Sequence, residues 1–486
     1  MSELASEPTS QGAPTLSARL ARFADTTRHK PLPAEVAASV RDRVLDVLGL
    51  CVAARRLDTS AAAVAYVREQ GGAGQAHMIG DAERVPAPLA ALANGVLAHS
   101  LDYDDTHLPS VLHPSASVVP AALAAAEAGG ADGERLLAAI AAGLEVCVRI
   151  GMAGYDRDTN NSVYFEHGQH ATSLCGAIGG AVAAAMLLDL DEAGIGHAIG
   201  VSASMASGVI EANRTGGTVK RLHCGWAAHS AVSAAQLVRH GFTGPPTVLE
   251  GRFGFFEAFL RGAYDPRAIT DRLGEDWAVP GIFFKPYPAN HFTHTIVDAG
   301  RSLREQGVDP DEIVSLTIGV PGPVVRTVGE PIERKRRPTT TYEAQFSGPY
   351  AAAVGLLGGQ GLGAGLADYD AALLTDPSRL RLMACAEVVA DAECTRIFPN
   401  QFPAVVRSST RDGREWMAKA LVNRGGPGNP LTPEELATKF RDNVVDALGV
   451  GAARAVEEGV ARLGRDLRPD ELLDLIRIQV PGKEVQ

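Results

Sequence analysis

Four short segments concentrate ionisable side chains in a way that suits proton transfer. Residues 98–115 hold Asp102, Asp104, Asp105, His107 and His113 within twelve positions, with Thr106 among them. A carboxylate beside a histidine orients the imidazole and stabilises its charged form. Pro109 and Pro114 mark this segment as a loop between helices. The plain alternative is capping, with Asp104 or Asp105 closing one helix and Ser115 opening the next. Residues 166–173 bring His170 to the start of an apolar run. A helix N-terminus there would offer free N–H groups and partial positive charge to a carboxylate ligand, or be a simple cap. Residues 220–229 lead from Lys220, Arg221 and His223 into another apolar run. Cations beside a buried segment are costly unless they meet an anion, the plain alternative being a solvated turn. In residues 285–294, Pro286 and Pro288 make a rigid approach to a helix start and place His291 there.

The familiar cofactor motifs are missing. The chain has no Walker loop, no GxGxxG after a strand, no HExxH and no GxSxG. Six cysteines without CxxC spacing read as buried free thiols, not as a disulfide framework or cluster ligands. His291 and His294, three apart, do not complete a zinc frame. The expectation is acid–base chemistry on an anionic substrate with neither metal nor cofactor. A formal net charge of −12 makes nucleic acid and anionic membranes poor partners, and means that an anionic substrate needs a local basic pocket. Residues 1–14 are polar and lack the apolar core of a secretory signal. Residues 174–188, the most apolar stretch, are too few to span a bilayer. The cytoplasm is the expected location.

The elements that must position these residues are mostly helical. At 486 residues the chain is too long for one ordinary core, so two domains are expected. Val36, Val40, Val44, Val47, Leu48 and Cys51 recur at helical spacing, with Arg41, Asp42, Arg43 and Asp46 between them. Residues 136–152, 171–188 and 225–240 have the same texture. Gly176, Gly179 and Gly180 would let helices approach closely. After Trp277 the pattern changes. Val314, Leu316, Ile318 and Val320 alternate as a strand does, and residues 404–410 and 416–422 flank Asp412-Gly413, a hairpin signal. Helix returns at Thr432-Pro433-Glu434-Glu435, a capping box. The predicted fold is mainly α. A large all-helical domain is built from both chain ends (residues 1–275 and 431–486), with an inserted α+β lid (residues 276–430).

In this order, the segments LDYDDTH…HPS, GQHATS, KRLHCGWAAHS and KPYPANHFTH resemble the MmgE/PrpD family, which includes 2-methylcitrate dehydratase and cis-aconitate decarboxylase. Residues 243–259 are a further family-like piece, and the likeness runs from about residue 16 to the C-terminal helices. The resemblance implies a homodimer with its active site between helical domain and lid, acting on a small di- or tricarboxylate by dehydration or decarboxylation. It carries over Asp102, Thr106 and His113 from the first motif, then His170, Lys220 and His291, and Tyr350 as a lid tyrosine. In the implied mechanism Lys220, helped by Arg221, binds a substrate carboxylate. His113 or His170 moves the proton, Asp102 orients a histidine, and His291 is the other acid–base group. Thr106 and Tyr350 hydrogen-bond the substrate. The segment departs from the decarboxylase pattern by one extra residue between Thr106 and His113, and by His107 where a tryptophan is expected. The alternatives are a class II terpene cyclase using the DxDD of Asp102 to Asp105, a His/Asp metal hydrolase, and a non-enzymatic helical binding protein.

Overall fold

The computed structural model describes residues 13–159, 161–212 and 216–478. The polar N-terminal stretch discussed above lies outside them up to Gly12. Two hydrophobic cores organise the chain. The first draws on residues 16–282 together with 440–476, and the second on residues 287–418.

Helices α1 (Ala34–Ala54), α2 (Ala87–His99), α3 (Ser115–Gly129), α4 (Gly133–Ala153), α5 (Ala171–Leu187) and α6 (Val219–Arg239) form the body of the first core. Every residue of α5 is buried, so its small side chains admit neighbours on all sides. α4 is long and apolar enough to cross a membrane, yet 94% of its apolar window is buried inside this fold. The α2–α6 crossing matters most for the site. A Cβ on Gly95 would stand 2.7 Å from the Cα of Gly225, so both positions exclude a side chain. This close approach puts His99, at the end of α2, and Lys220, at the start of α6, within about a turn of the crossing.

α6 begins at Val219, earlier than the apolar periodicity suggests, so Lys220 and Arg221 sit in its first turn. α1 follows its predicted apolar face but adds a surprise. Arg43 and Asp46, which read as its polar side, are buried. Their partners come from far along the chain, Asp105 for Arg43 and Lys439 for Asp46. Lys439 lies on α9 (Pro433–Leu448), which opens with the predicted capping box of Thr432 and Glu435. Phe440 and Val444 of α9 complete the first core.

The second core packs α7 (His294–Glu305) and α8 (Gly348–Leu357) with a four-stranded sheet. The sheet order is β2-β1-β3-β4, from β1 (Ile313–Val320), β2 (Ala386–Ala390), β3 (Ala404–Thr410) and β4 (Glu415–Ala420). β1 pairs parallel with β2 and antiparallel with β3, Ile318 facing Val388 and Val406. The β3–β4 hairpin forms where Asp412-Gly413 predicts it. A register shift between Ile313 and Ser315 turns Val314 outward, while Leu316, Ile318 and Val320 stay buried.

Candidate active site

The loop after α2 carries the acidic cluster, and buried cations from distant elements fix it. Arg43 Nη1 donates to Asp105 Oδ2 at 2.7 Å, and its Nη2 donates to the carbonyls of Val279 (3.1 Å) and Ile282 (2.8 Å). The guanidinium lies over the Phe284 ring, 4.4 Å from its centroid. Thr106 and Phe283 exchange backbone hydrogen bonds of 2.8 Å in each direction. The loop is thereby tied to the stretch that leads into the second core. Lys439 Nζ meets Asp46 at 2.6 Å and donates to the Tyr103 carbonyl at 3.1 Å. Asp105 also accepts from the backbone N–H of Ser115, the first residue of α3, at 3.2 Å, so it ties down the start of that helix. The cap that closes α2 is Ser100, not Asp104 or Asp105 as the capping alternative had it.

Asp102 is different. Its φ of 52° lies in the left-handed region, which Asp tolerates better than most residues. Lys285 Nζ donates to its carbonyl at 2.8 Å and to Oδ1 at 3.0 Å, and Lys220 Nζ lies 4.0 Å from Oδ1. Oδ2 has no hydrogen-bond partner. Burial alone would raise the Asp102 carboxyl, but Lys285, then Lys220 and His113, hold it well below the usual carboxylate range. Burial works against the Lys220 ammonium too, and Asp102 more than offsets it, raising its pKa. A lysine in the first turn of a helix opposes the macrodipole, so the carboxylate also compensates for that placement.

The histidines surround this centre. His113 Nδ1 donates to the Asp105 carbonyl at 2.7 Å, with Thr106 Oγ1 at 3.4 Å from the same nitrogen. A proton held on Nδ1 leaves Nε2 with a free lone pair. Burial, against the pull of Asp104, pushes His113 down to about 3, with Lys285 adding to the fall. His99 Nδ1 pairs with Asp104 at 2.7 Å. Asp104 is buried, yet His99 and then His113 keep its carboxyl below the ordinary value. His170 occupies the N-cap position of α5 without capping it, and its Nδ1 lies 3.0 Å from His223 Nδ1. His291 stands in the turn His291–Thr293 before α7. It packs against Phe283, Phe402 and His294, and neither of its ring nitrogens has a hydrogen-bond partner. Burial, followed by His99 and Lys220 for His170 and by His294 and Lys285 for His291, lowers both well below the ordinary histidine value.

A cleft of about 990 Å³ unites these groups. Asp102, Thr106, His113, His170, Lys220 and His291 all line it. Two predicted residues do not. The Arg221 guanidinium turns away to Thr59 Oγ1 at 3.2 Å. Tyr350 is fully buried in the second core, where its hydroxyl donates to the Asp368 carbonyl at 2.6 Å and accepts from Arg379 at 3.1 Å. Tyr342, eight positions earlier, lines the cleft instead. Sequence reasoning also passed over Lys285, His99 and His223. Each stood inside a highlighted segment, and the signal for Lys285 was its place at the head of KPYPANH. The cyclase alternative fails on charge. Asp102 and Asp104 are held as carboxylates, and Asp105, whose carboxyl burial raises, is engaged by Arg43 and Ser115 and does not line the cleft, so the DxDD presents no acid to an alkene there. Among the described residues, no group of three or more His, Cys, Asp or Glu side chains is placed to hold a metal ion.

Paired lysines, a clamped carboxylate and neutral histidines sharing one cleft define an acid–base enzyme. Comparison with known proteins gives its kind. Residues 18–267 match the MmgE/PrpD N-terminal domain and residues 287–464 the MmgE/PrpD C-terminal domain. The chain belongs to the MmgE/PrpD family and is a lyase of that type. It is 30% identical to human cis-aconitate decarboxylase over 375 residues, covering 74% of this chain and 73% of the relative. It is 25% identical to the cis-aconitate decarboxylase-like protein oryM of Aspergillus oryzae over 481 residues, covering 95% and 97%. With the Aspergillus terreus cis-aconitate decarboxylase it shares 27% over 303 residues, 60% of each chain.

Proposed function

We propose that this protein is a cofactor-free, metal-independent carboxy-lyase for cis-aconitate or a closely similar unsaturated tricarboxylate. The observation that carries the reading is the Lys285–Asp102–Lys220 arrangement, set in one cleft with His113, His170 and His291. In an acidic protein it supplies the local positive charge that a polyanion needs. The names of the relatives support the choice of acid.

The chemistry follows from the donors present. Loss of CO2 breaks a C–C bond and leaves its electron pair on an allylic carbon framework, delocalised toward a neighbouring carboxylate. Lys220, and Lys285 beside it, stabilise that developing charge where it forms. A proton then goes to carbon, so one proton is consumed for each CO2 released. Histidines lowered by burial in the free enzyme gain protons more easily when a polyanion enters the cleft, because a nearby negative charge favours the imidazolium. His113 and His291, with open ring nitrogens, are the proton donors in this reading. Thr106 orients the substrate and Asp102 orders the two ammonium groups. Residues 276–430 act as a lid over the cleft. We further propose that the protein works as a homodimer, a reading supported by the exposed Val219, Leu222 and Trp226 along one side of α6.

The test is direct. The purified protein is incubated with cis-aconitate, citrate, methylcitrate and related acids and the products are read by mass spectrometry. Release of CO2 from cis-aconitate, lost in a folded Lys220→Ala variant, is expected. Loss of water from a hydroxy acid instead would make it a dehydratase. Full turnover by Lys220→Ala would remove the lysine from the site.

A further inference from the structure

At the wall of the cleft, four imidazoles run in a row. Their ring centroids are 5.3 Å apart for His113 and His99, 5.6 Å for His99 and His170, and 5.0 Å for His170 and His223. His113 and His170 line the cleft, while His99 and His223 stand behind them. His223 lies three residues after Lys220 on α6, so the two share a helix face. Its backbone carbonyl accepts from Ser173 Oγ at 3.1 Å, in the first turn of α5, the helix that follows His170. Two helices therefore hold the His170–His223 pair in place.

Two ring nitrogens 3.0 Å apart share a hydrogen bond when one carries a proton and the other a lone pair. The pair thus sets its own tautomers. With Nδ1 of His170 taken, Nε2 is the nitrogen it has left for a ligand. His99 does not compete for either nitrogen, because its Nδ1 pairs with Asp104 at 2.7 Å and its Nε2 makes no hydrogen bond. A substrate carboxylate is met by an N–H and repelled by a bare lone pair. We infer that His223 is a positioning residue: it donates its Nδ1 proton to His170 Nδ1 and so keeps the His170 proton on Nε2, facing a substrate carboxylate. This rests on the reading of the cleft as an acid-binding site. The ionisable groups around the pair are His99 with Asp104, His113 and Lys220. Burial, then His99 and Lys220, push His223 down to about 4, so near neutral pH the pair is uncharged and tautomer is what it controls.

The experiment combines ¹⁵N-histidine NMR of the whole protein with kinetics. Resonances are assigned with His170→Gln and His223→Asn variants. The wild-type protein is expected to show His170 protonated at Nε2 and His223 at Nδ1. His223→Asn keeps an N–H donor near the Nδ1 position and should retain the His170 tautomer and a near-normal KM. His223→Leu removes the donor and should raise KM about tenfold, with a smaller change in kcat, as expected for one lost hydrogen bond to a charged group. A wild-type spectrum with His170 protonated at Nδ1 would overturn the proposal even if His223→Leu failed to fold. Equal KM for wild type, His223→Asn and a folded His223→Leu would overturn it too. Absence of turnover on every acid would count against the proposed function, while the NMR result would still decide the tautomer.

Discussion

Replacing Lys285 by methionine removes a buried cation while nearly keeping its volume. The ammonium is 1% exposed as a residue and makes both of its hydrogen bonds to Asp102. The variant leaves that carboxylate buried, with Lys220 4.0 Å away as its remaining cation. Removing one partner of a buried ion pair costs about 3–5 kcal/mol. The loss has a pH signature. In the wild type the Asp102 carboxyl is depressed, so its contribution to stability is present above the ordinary carboxylate pKa of about 3.9 and is lost as pH falls through the folded value. Without Lys285, burial is less well opposed and the folded pKa rises. As pH falls the variant then relieves its stranded charge by taking up a proton. The stability gap between the two proteins should be widest near pH 7.5 and narrower near pH 5, measured by urea unfolding followed by circular dichroism. Adding Asp102→Asn should recover most of the stability and none of the turnover, because both partners are then gone. A gap below about 1 kcal/mol, or one that does not change with pH, would refute the reasoning.

Other outcomes follow from the same geometry. Burial holds His113 and His294 down to about 3, and His107 and His223 down to about 4, against about 6.5 when unfolded. Their neutral folded forms contribute stability above the unfolded pKa that is lost as pH drops toward the folded values, by about 1.4 kcal/mol per pH unit each. The thermal midpoint should therefore fall steeply between about pH 6.5 and pH 4, and a flat midpoint would contradict these burials. Tyr350→Phe should lower stability by about 1 kcal/mol without changing kcat/KM. Tyr342→Phe should do the reverse, and steady-state kinetics with melting curves tell them apart. Exhaustive EDTA treatment should leave turnover intact, and full loss restored by a single added metal would overturn the metal-independent mechanism.

The sequence carried much of this. Apolar periodicity located the helices to within a few residues, alternation and Asp412-Gly413 located the strands, and Thr432 located the start of α9. Local pattern could not say which polar residues a distant segment would bury. Arg43 and Asp46 read as solvent-facing because their partners, Asp105 and Lys439, lie about 60 and about 390 residues away. The same limit hid Lys285, whose role depends on the left-handed turn at Asp102. Tyr350 was misplaced because the helical path breaks between the two tyrosines, with Tyr342 on the short helix Thr341–Gln345 and Tyr350 on α8. Eight positions separate it from Tyr342, and the second core takes one while the cleft takes the other. Arg221, next to Lys220, faces Thr59 because adjacent helical residues point about 100° apart.

The central claim is that the cleft around Asp102 holds a tricarboxylate between Lys220 and Lys285. A crystal structure with tricarballylate, a saturated tricarboxylate without the double bond this chemistry needs, tests it most directly. Carboxylates within salt-bridge distance of both ammonium groups, with another near His170 or His291, are expected. Tricarballylate bound elsewhere on the protein, or an empty cleft at a saturating concentration, would contradict the account.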